Sequence, residues 1–271
     1  MNPQMPVRSE KSFPPLLDFA NITVMREDKI VLDSLSLIVN SGENIAIIGP
    51  NGSGKSSFIK TINREYYPLL NDKLRFKIFG QEVWNVFSLR ENLGIVSHDL
   101  QFNYTRDTTG RDVILSGFFS SIGLFMHNVT PAMEDKTDEI LQFLEIEHLQ
   151  SRPMRKMSTG EARRFLIGRA LVNNPCALLL DEPTTGLDLH ALHTFRNTLR
   201  KIAQSGTGII MVTHNLHDII PEINRVILMK DGRFCADGPK DEILRDDIVG
   251  GLFDVSVKIK EEDGWYYATG Y

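Results

Sequence analysis

Short runs of apolar residues dominate the first third of the chain and predict β-strands. The segments LDFANITVM and IVLDSLSLIV, between positions 16 and 39, are rich in branched side chains and are separated by the charged turn Arg26-Glu27-Asp28-Lys29. The continuous apolar run NIAII at positions 44–48 predicts a strand that is buried on both faces. A glycine-rich loop and the predicted helix SSFIKTIN follow it, and further short strands are expected at 74–79 and 94–97.

From position 110 to 171 the pattern changes and predicts mostly helices, including the apolar segment GRDVILSGFFSSIGLFM. Strands return at 177–180 and 208–212, with a helix between them. Asp231-Gly232 and Asp263-Gly264 each lie between strand-like segments and predict two β-hairpins. The whole pattern is typical of an α/β protein with an added helical region.

Composition narrows the class of protein. The chain has 271 residues, of which 42% are apolar and 24% charged, so it can bury a full core and is neither a disordered protein, a collagen-like fibre nor a disulfide mini-scaffold. The formal net charge of −5 argues against unaided binding to nucleic acid or anionic lipid. We find no apolar run of about 18 residues and no export signal, so we expect no membrane-spanning helix.

The glycine-rich loop carries the first chemical signal. Its residues are Gly49-Pro50-Asn51-Gly52-Ser53-Gly54-Lys55-Ser56, which fit the pattern G-x-x-x-x-G-K-[ST]. The glycines let backbone N–H groups turn toward phosphate oxygens, and the helix that follows points its positive end at the same place. We expect Lys55 to reach the β- and γ-phosphates of ATP, the Ser56 hydroxyl to bind Mg²⁺, and Ser57 to belong to the same contact set.

Two carboxylates end the predicted strand LLLDE. Asp181 and Glu182 would emerge at the carboxyl edge of a parallel sheet, where such folds bind ligands. Asp181 is expected to hold Mg²⁺ through water, and Glu182 to polarise the water that attacks the γ-phosphate. The alternative is a solvated strand-to-loop junction, which the upstream phosphate loop disfavours.

Three further segments resemble the motifs of one family. Met157-Ser158-Thr159-Gly160-Glu161 resembles the signature motif of ABC-type ATPases, usually written LSGGQ. Residues 184–188 resemble the D-loop of that family, and residues 212–214 its switch histidine. The resemblance covers about residues 16–239. It implies an α/β P-loop NTPase domain with a mainly parallel core sheet, an N-terminal antiparallel β subdomain and an inserted helical subdomain.

The resemblance also implies domain bounds. We expect a flexible tail over residues 1–15, the ABC ATPase domain over 16–249 with its helical subdomain at about 99–165, and a C-terminal β-hairpin extension over 250–271.

Membership of that family implies that two copies pack head to tail around Mg-ATP. Ser158 and the backbone N–H of Gly160 in one copy would then face the phosphate loop of the other, as a second positive helix end. His214 would contact the γ-phosphate and hold Glu182 and the water in line, and Asp188 would contact the opposite copy. Ser158 also fits a simple helix cap, and both roles can hold together.

The chain departs from the family pattern at several positions. Arg26 takes the place of the aromatic residue that stacks on adenine; a guanidinium can do the same, or Arg26 is a solvated turn residue. His98 takes the place of the Q-loop glutamine, unless a shifted loop brings Gln101 there instead. Thr159 and Glu161 replace glycine and glutamine in the signature motif, and Thr159 adds a side chain near the nucleotide of the partner copy.

Several segments, among them LGIVSHDLQ and MSTGEARRFLIGRALV, resemble the molybdate-transport and photorepair-like ABC ATPases. We expect a cytoplasmic ATPase at the inner face of a membrane, energising a separate permease chain. The alternative is a soluble ABC ATPase of repair or regulatory type with a cytosolic partner, and a third reading is a regulator with impaired hydrolysis. At least one of Phe118 and Phe119 is expected to be a surface anchor for the partner, the alternative being packing inside the helical subdomain.

Overall fold

The computed structural model describes residues 14–97, 100, 104, 107–124 and 127–270. The strands in these residues are β1 Leu17–Arg26, β2 Lys29–Val39, β3 Asn44–Ile48, β4 Arg75–Ile78, β5 Leu93–Ser97, β6 Ala177–Asp181, β7 Gly208–Thr213, β8 Arg225–Lys230, β9 Arg233–Pro239, β10 Lys258–Glu262 and β11 Trp265–Thr269. The α-helices are α1 Lys55–Ile62, α2 Val86–Asn92, α3 Gly110–Ser116, α4 Pro131–Phe143, α5 Thr159–Leu171, α6 Leu189–Gln204, α7 Lys240–Ile243 and α8 Asp246–Phe253. None of these helices combines the length and the apolar character needed to cross a membrane.

The chain forms two compact units, one from residues up to Asn85 and from Arg200 onward, the other from Val86–Leu199. In the first unit, β1 pairs antiparallel with β2 on one side and with β4 on the other. The turn between β1 and β2 is only two residues long, because β1 continues through Arg26. Glu27 and Asp28 both take positive φ angles, 47° and 62°, as a two-residue hairpin turn requires.

A second sheet of the first unit has β3 between two parallel neighbours, β7 and β8. All residues of β3 after Asn44 are buried, as expected for a strand that is covered on both faces. β9 pairs antiparallel with β8 around Asp231-Gly232, and β10 pairs with β11 around Asp263-Gly264. Both hairpins predicted from Asp-Gly pairs are therefore confirmed.

The second unit contains a parallel pair, β5 and β6, together with most of the helices. In β6, residues Ala177, Leu178, Leu179 and Leu180 are buried and Asp181 is half-buried. Helix α5 is buried on most of its circumference and contacts α3, α4 and β5. It is the central helix of this unit.

The long helix predicted from position 110 ends much earlier than the apolar run suggests. Helix α3 stops at Ser116, and a 3-10 turn over Gly117–Phe119 follows. Ser120 then takes a left-handed φ of 49°, which an α-helix cannot accommodate. Phe118 and Phe119 are half-buried, and Phe119 stacks on the His127 imidazole at a centroid distance of 4.3 Å. Their role as partner anchors stays a prediction.

Candidate functional site

The phosphate loop, residues 49–56, connects the end of β3 to the start of α1. Gly52 and Gly54 have φ angles of +82° and +106°, a region that favours glycine. Gly49 has a different reason to be glycine: a β-carbon there would lie 2.1 Å from the main-chain oxygen of Met229. The glycine spacing of the motif is thus required by backbone conformation at two positions and by close packing at the third.

Polar groups of the loop suit a polyanion. Lys55 is only 4% exposed, and its ammonium donates to the carbonyl oxygens of Gly49 at 2.9 Å and Pro50 at 3.0 Å. The hydroxyl of Ser53 is buried and has no hydrogen-bond partner among the described residues. Helix α1 begins at Lys55, and its N-cap Gly54 provides no side-chain cap, so the positive end of the helix faces the loop. A cation and backbone donors together form a cradle for phosphate oxygens.

The remaining predicted residues of this segment lie around the same loop. Ser56 and Asn51 are exposed, whereas Pro50 and Ser57 are half-buried. Serine hydroxyls are suitable ligands for Mg²⁺, which prefers oxygen. In the part of the chain that the structure describes, no three His, Cys, Asp or Glu side chains are close enough together to hold a metal ion.

His214 lies at the same sheet edge as the phosphate loop. It follows β7 directly, and Thr213 at the end of β7 is opposite Ile48 at the end of β3. The N–H of Gly49 donates to the Thr213 carbonyl at 3.3 Å. Because β3 and β7 are parallel, the loop and the exposed His214 leave the sheet side by side.

The turn after His214 is fixed by its neighbours. The Thr213 hydroxyl donates to the Asp218 carboxylate and accepts the N–H of Asn215 at 3.0 Å. The Asn215 side chain in turn accepts the N–H of His217 at 3.1 Å. These contacts hold the backbone on which the predicted switch histidine stands.

Arg26 is the last residue of β1 and is exposed. Its guanidinium lies 5.3 Å from the ring centroid of Tyr66, and it also makes a 3.7 Å ion pair with Glu27. The structure thus pairs Arg26 with an aromatic residue that sequence reasoning missed, because Tyr66 follows α1 and is far from Arg26 along the chain. Stacking of Arg26 on adenine stays a prediction.

The signature motif, residues 157–161, forms the start of α5. Ser158 is the N-cap: its hydroxyl accepts the Glu161 N–H at 3.2 Å, and the Glu161 carboxylate accepts the Ser158 N–H at 2.7 Å. Arg152 lies 3.2 Å from that carboxylate. The cap that the sequence suggested for Ser158 is present, as a complete capping box. Thr159 is the first residue of the helix and is half-buried.

Gly160 and Asp188 have structural roles beside their predicted functional ones. A β-carbon at Gly160 would lie 2.6 Å from the Ala191 β-carbon, so glycine lets α5 approach α6 closely. Asp188 accepts the Ala191 N–H on its carboxylate at 2.8 Å, which caps the start of α6. Their predicted contacts with a second copy remain predictions.

The end of β6 contains a contact that the sequence did not suggest. Asp181 and Glu182 are both half-buried, and Glu182 takes a left-handed φ of +45°. Arg163 of α5 is fully buried, and its guanidinium donates to the main-chain oxygens of Glu182 and Pro183. The hydrophobic pattern of the sequence could not distinguish Arg163 from its neighbour Arg164, because α5 is buried on most sides and has no single apolar face. The predicted Q-loop residue His98 and its alternative Gln101 lie outside the described residues.

Comparison with known proteins gives one consistent family. The family model described as ABC transporter matches residues 32–185. YlmA of Bacillus subtilis, an uncharacterized ABC transporter ATP-binding protein, is 31% identical over 251 residues, which are 90% of this chain and 93% of YlmA. The ABC transporter ATP-binding protein ModF of Escherichia coli is 33% identical over 214 residues, 75% of this chain but 42% of ModF.

Solved structures agree in fold. The ADP conformation of MJ1267, an ATP-binding cassette of an ABC transporter, has a TM-score of 0.75 at 26% identity and covers 89% of this chain and 98% of that one. The dimeric post-hydrolysis state of the ATP-binding cassette MJ0796, bound to ADP and Pi, has a TM-score of 0.68 at 26% identity. It covers 82% of this chain and 98% of that one. The predicted P-loop α/β fold is confirmed.

Proposed function

The chain belongs to the ABC transporter family of ATP-binding proteins, and we propose that it binds and hydrolyses ATP as the energising subunit of a membrane transporter. The phosphate loop carries the proposal. Its glycines, the buried Lys55 and the uncapped start of α1 together make an anion cradle. In this proposal the membrane-spanning permease is a separate chain, and the ATPase works at the cytoplasmic face of the membrane.

Each residue of the site has one task. Backbone N–H groups of the loop and the Lys55 ammonium hold the β- and γ-phosphates. Ser56 and Asp181 supply oxygen ligands for Mg²⁺, whose charge neutralises that of the phosphates. Glu182 accepts a proton from the attacking water, and His214 keeps that water in line with the γ-phosphate. Arg26 stacks on the adenine.

Two copies of the chain pack head to tail in the working enzyme. The MJ0796 cassette, which shares the fold, was solved as a dimer with ADP and Pi. Ser158 and Gly160 of one copy would face the nucleotide held by the phosphate loop of the other, and Asp188 would contact the opposite copy. ATP binding would thereby drive closure of the dimer, and hydrolysis would release it.

The transport role needs a face that binds the permease. Phe118 and Phe119 are half-buried, and the nearby Ile122 is 42% exposed. We assign the permease contact to this region of the second unit. A soluble ATPase with a cytosolic partner is the alternative function.

Phosphate release and affinity capture together test the proposal. With Mg-ATP, the wild-type chain should release phosphate, and Glu182→Gln should do so about 100-fold more slowly because the base is lost. Capture from native membranes should recover an integral membrane protein with the chain. Absence of phosphate release would contradict the proposed ATPase activity. Capture of cytosolic proteins alone would favour the alternative function, a soluble ATPase with a cytosolic partner.

A further inference from the structure

Arg163 connects the signature helix α5 to the backbone of the proposed catalytic base. We propose that Arg163 is a positioning residue for ATP hydrolysis, which holds the main chain of Glu182 in the conformation that aims its carboxylate at the attacking water. The inference rests on the proposed function, since Arg163 acts only through Glu182. It assigns a role to a residue for which the sequence alone predicts none.

The contact is buried and directed at two consecutive carbonyl groups. Arg163 is 0% exposed. Its Nη1 lies 2.5 Å from the Pro183 oxygen and 3.4 Å from the Glu182 oxygen. The Thr185 N–H also donates to the Glu182 oxygen, at 3.3 Å. The turn that follows β6 is thus held by Arg163 of α5 and by the hydrogen bond between Thr185 and Glu182 inside the turn.

Glu182 needs such support because its backbone conformation is unfavourable. A left-handed φ of +45° brings the β-carbon of an L-residue close to the main chain. Glu182 also precedes Pro183, and a residue before proline prefers an extended backbone. A residue in this conformation persists only when its surroundings fix it, and such residues cluster at functional sites.

Arg163 contributes little to stability for a side chain so deeply buried. Its Nε and Nη2 have no hydrogen-bond partner among the described residues, and burial lowers the pKa of its guanidinium. A buried cation with unused donors costs free energy, and the two hydrogen bonds from Nη1 offset only part of that cost. Stability of the fold alone is therefore a poor reason for an arginine at this position.

The position of Arg163 in α5 also connects two parts of the proposed reaction. It lies three residues after Gly160, on the same side of the helix. The start of α5 is the proposed contact for the nucleotide of the partner copy, and Arg163 holds Glu182 of its own copy. Displacement of α5 on dimer closure would therefore reach the main chain of Glu182 directly.

Arg169 supplies a matched control on the same helix. Its Nη2 donates to the Ser121 carbonyl at 3.1 Å, and its Nε is buried without a partner among the described residues. It thus resembles Arg163 in helix and acceptor type, but it is only half-buried, and its Nη2 hydrogen bond goes to Ser121 and not to the turn after Glu182. Arg169→Met tests whether loss of any such arginine from α5 affects turnover.

The experiment measures steady-state ATP hydrolysis and urea unfolding of the full chain. For Arg163→Met we expect kcat to fall by at least about 10-fold, because small misplacement of a catalytic group is costly. The KM for ATP should change by less than about 3-fold, and the unfolding midpoint should fall only modestly, because loss of a buried donor is partly offset by removal of the buried charge. Arg163→Lys should recover part of the kcat, since its ammonium can donate to the same carbonyls, and Arg169→Met should keep kcat within about 2-fold.

Three results would overturn the inference. They are wild-type kcat in Arg163→Met, an equal loss of kcat in Arg169→Met, and a loss of kcat that only parallels a large loss of stability. The ATPase activities of the wild-type and Glu182→Gln chains show whether such a result contradicts only the role of Arg163 or also the proposed function. If wild type hydrolyses ATP and Glu182→Gln does not, a failure belongs to the Arg163 inference alone; if Glu182→Gln is as active as wild type, both are wrong.

Discussion

Helices α1 and α5 both begin where the sequence predicts a contact with nucleotide, yet their first turns are built in opposite ways. The N-cap of α1 is Gly54, which has a left-handed φ of +106° and offers no side-chain cap. The N-cap of α5 is Ser158, whose capping box with Glu161 is complete and is supported by Arg152. The N-cap of α1 offers no side-chain acceptor, whereas the Ser158 hydroxyl accepts an N–H group of its own helix.

This difference matches the two roles that we propose for the helices: α1 binds the nucleotide, and α5 of a second copy completes the nucleotide site. The first N–H groups of any helix need acceptors from outside the helix, and a side-chain cap is worth about 1 kcal/mol. At α1 the side-chain cap is absent and Lys55 is buried, which supports the proposed phosphate contact within one chain. At α5 the chain caps itself, so this helix end can form before any nucleotide arrives, and in our proposal it meets the nucleotide of a second copy.

The largest effect is expected for Lys55→Ala, which should weaken the binding of Mg-ATP at the start of α1. It removes a cation from two phosphate groups at once, and charge-assisted hydrogen bonds contribute about 1.5–3 kcal/mol each. Affinity for Mg-ATP should fall by about 100-fold or more. Calorimetric titration checks this value, and an unchanged affinity would refute the phosphate site itself.

Ser158→Ala should have a smaller and different effect. Loss of the cap should lower the free energy of unfolding by about 1 kcal/mol, while ATP binding to the single chain stays unchanged. Glu161→Gln is the matched control, because glutamine keeps the capping box and loses only a partly exposed ion pair worth less than about 1 kcal/mol. Urea unfolding and calorimetry of both variants give the comparison; weaker ATP binding by monomeric Ser158→Ala would break the contrast between the two helices.

Local patterns in the sequence predicted both helix starts, those of α1 and α5. The run from β3 through the loop to α1 is encoded by contiguous residues, and the Asp-Gly turns identify their hairpins for the same reason. Contacts between distant segments were not predictable. The 3-10 turn after α3 ends at Ser120, whose left-handed backbone no local rule requires, and Arg26 meets Tyr66 only because the fold brings them together. Arg163 and Arg164 are adjacent in the sequence, and only packing decides which one reaches Glu182.

We propose that the signature helix of one copy completes the binding site for the nucleotide held by the phosphate loop of another. Sedimentation velocity of Glu182→Gln with saturating Mg-ATP tests this most directly, since the variant should bind ATP without hydrolysing it. We predict a dimer with Mg-ATP, a monomer without it, and a weaker dimer when Ser158→Ala is added. A species that remains monomeric at saturating Mg-ATP would contradict the claim.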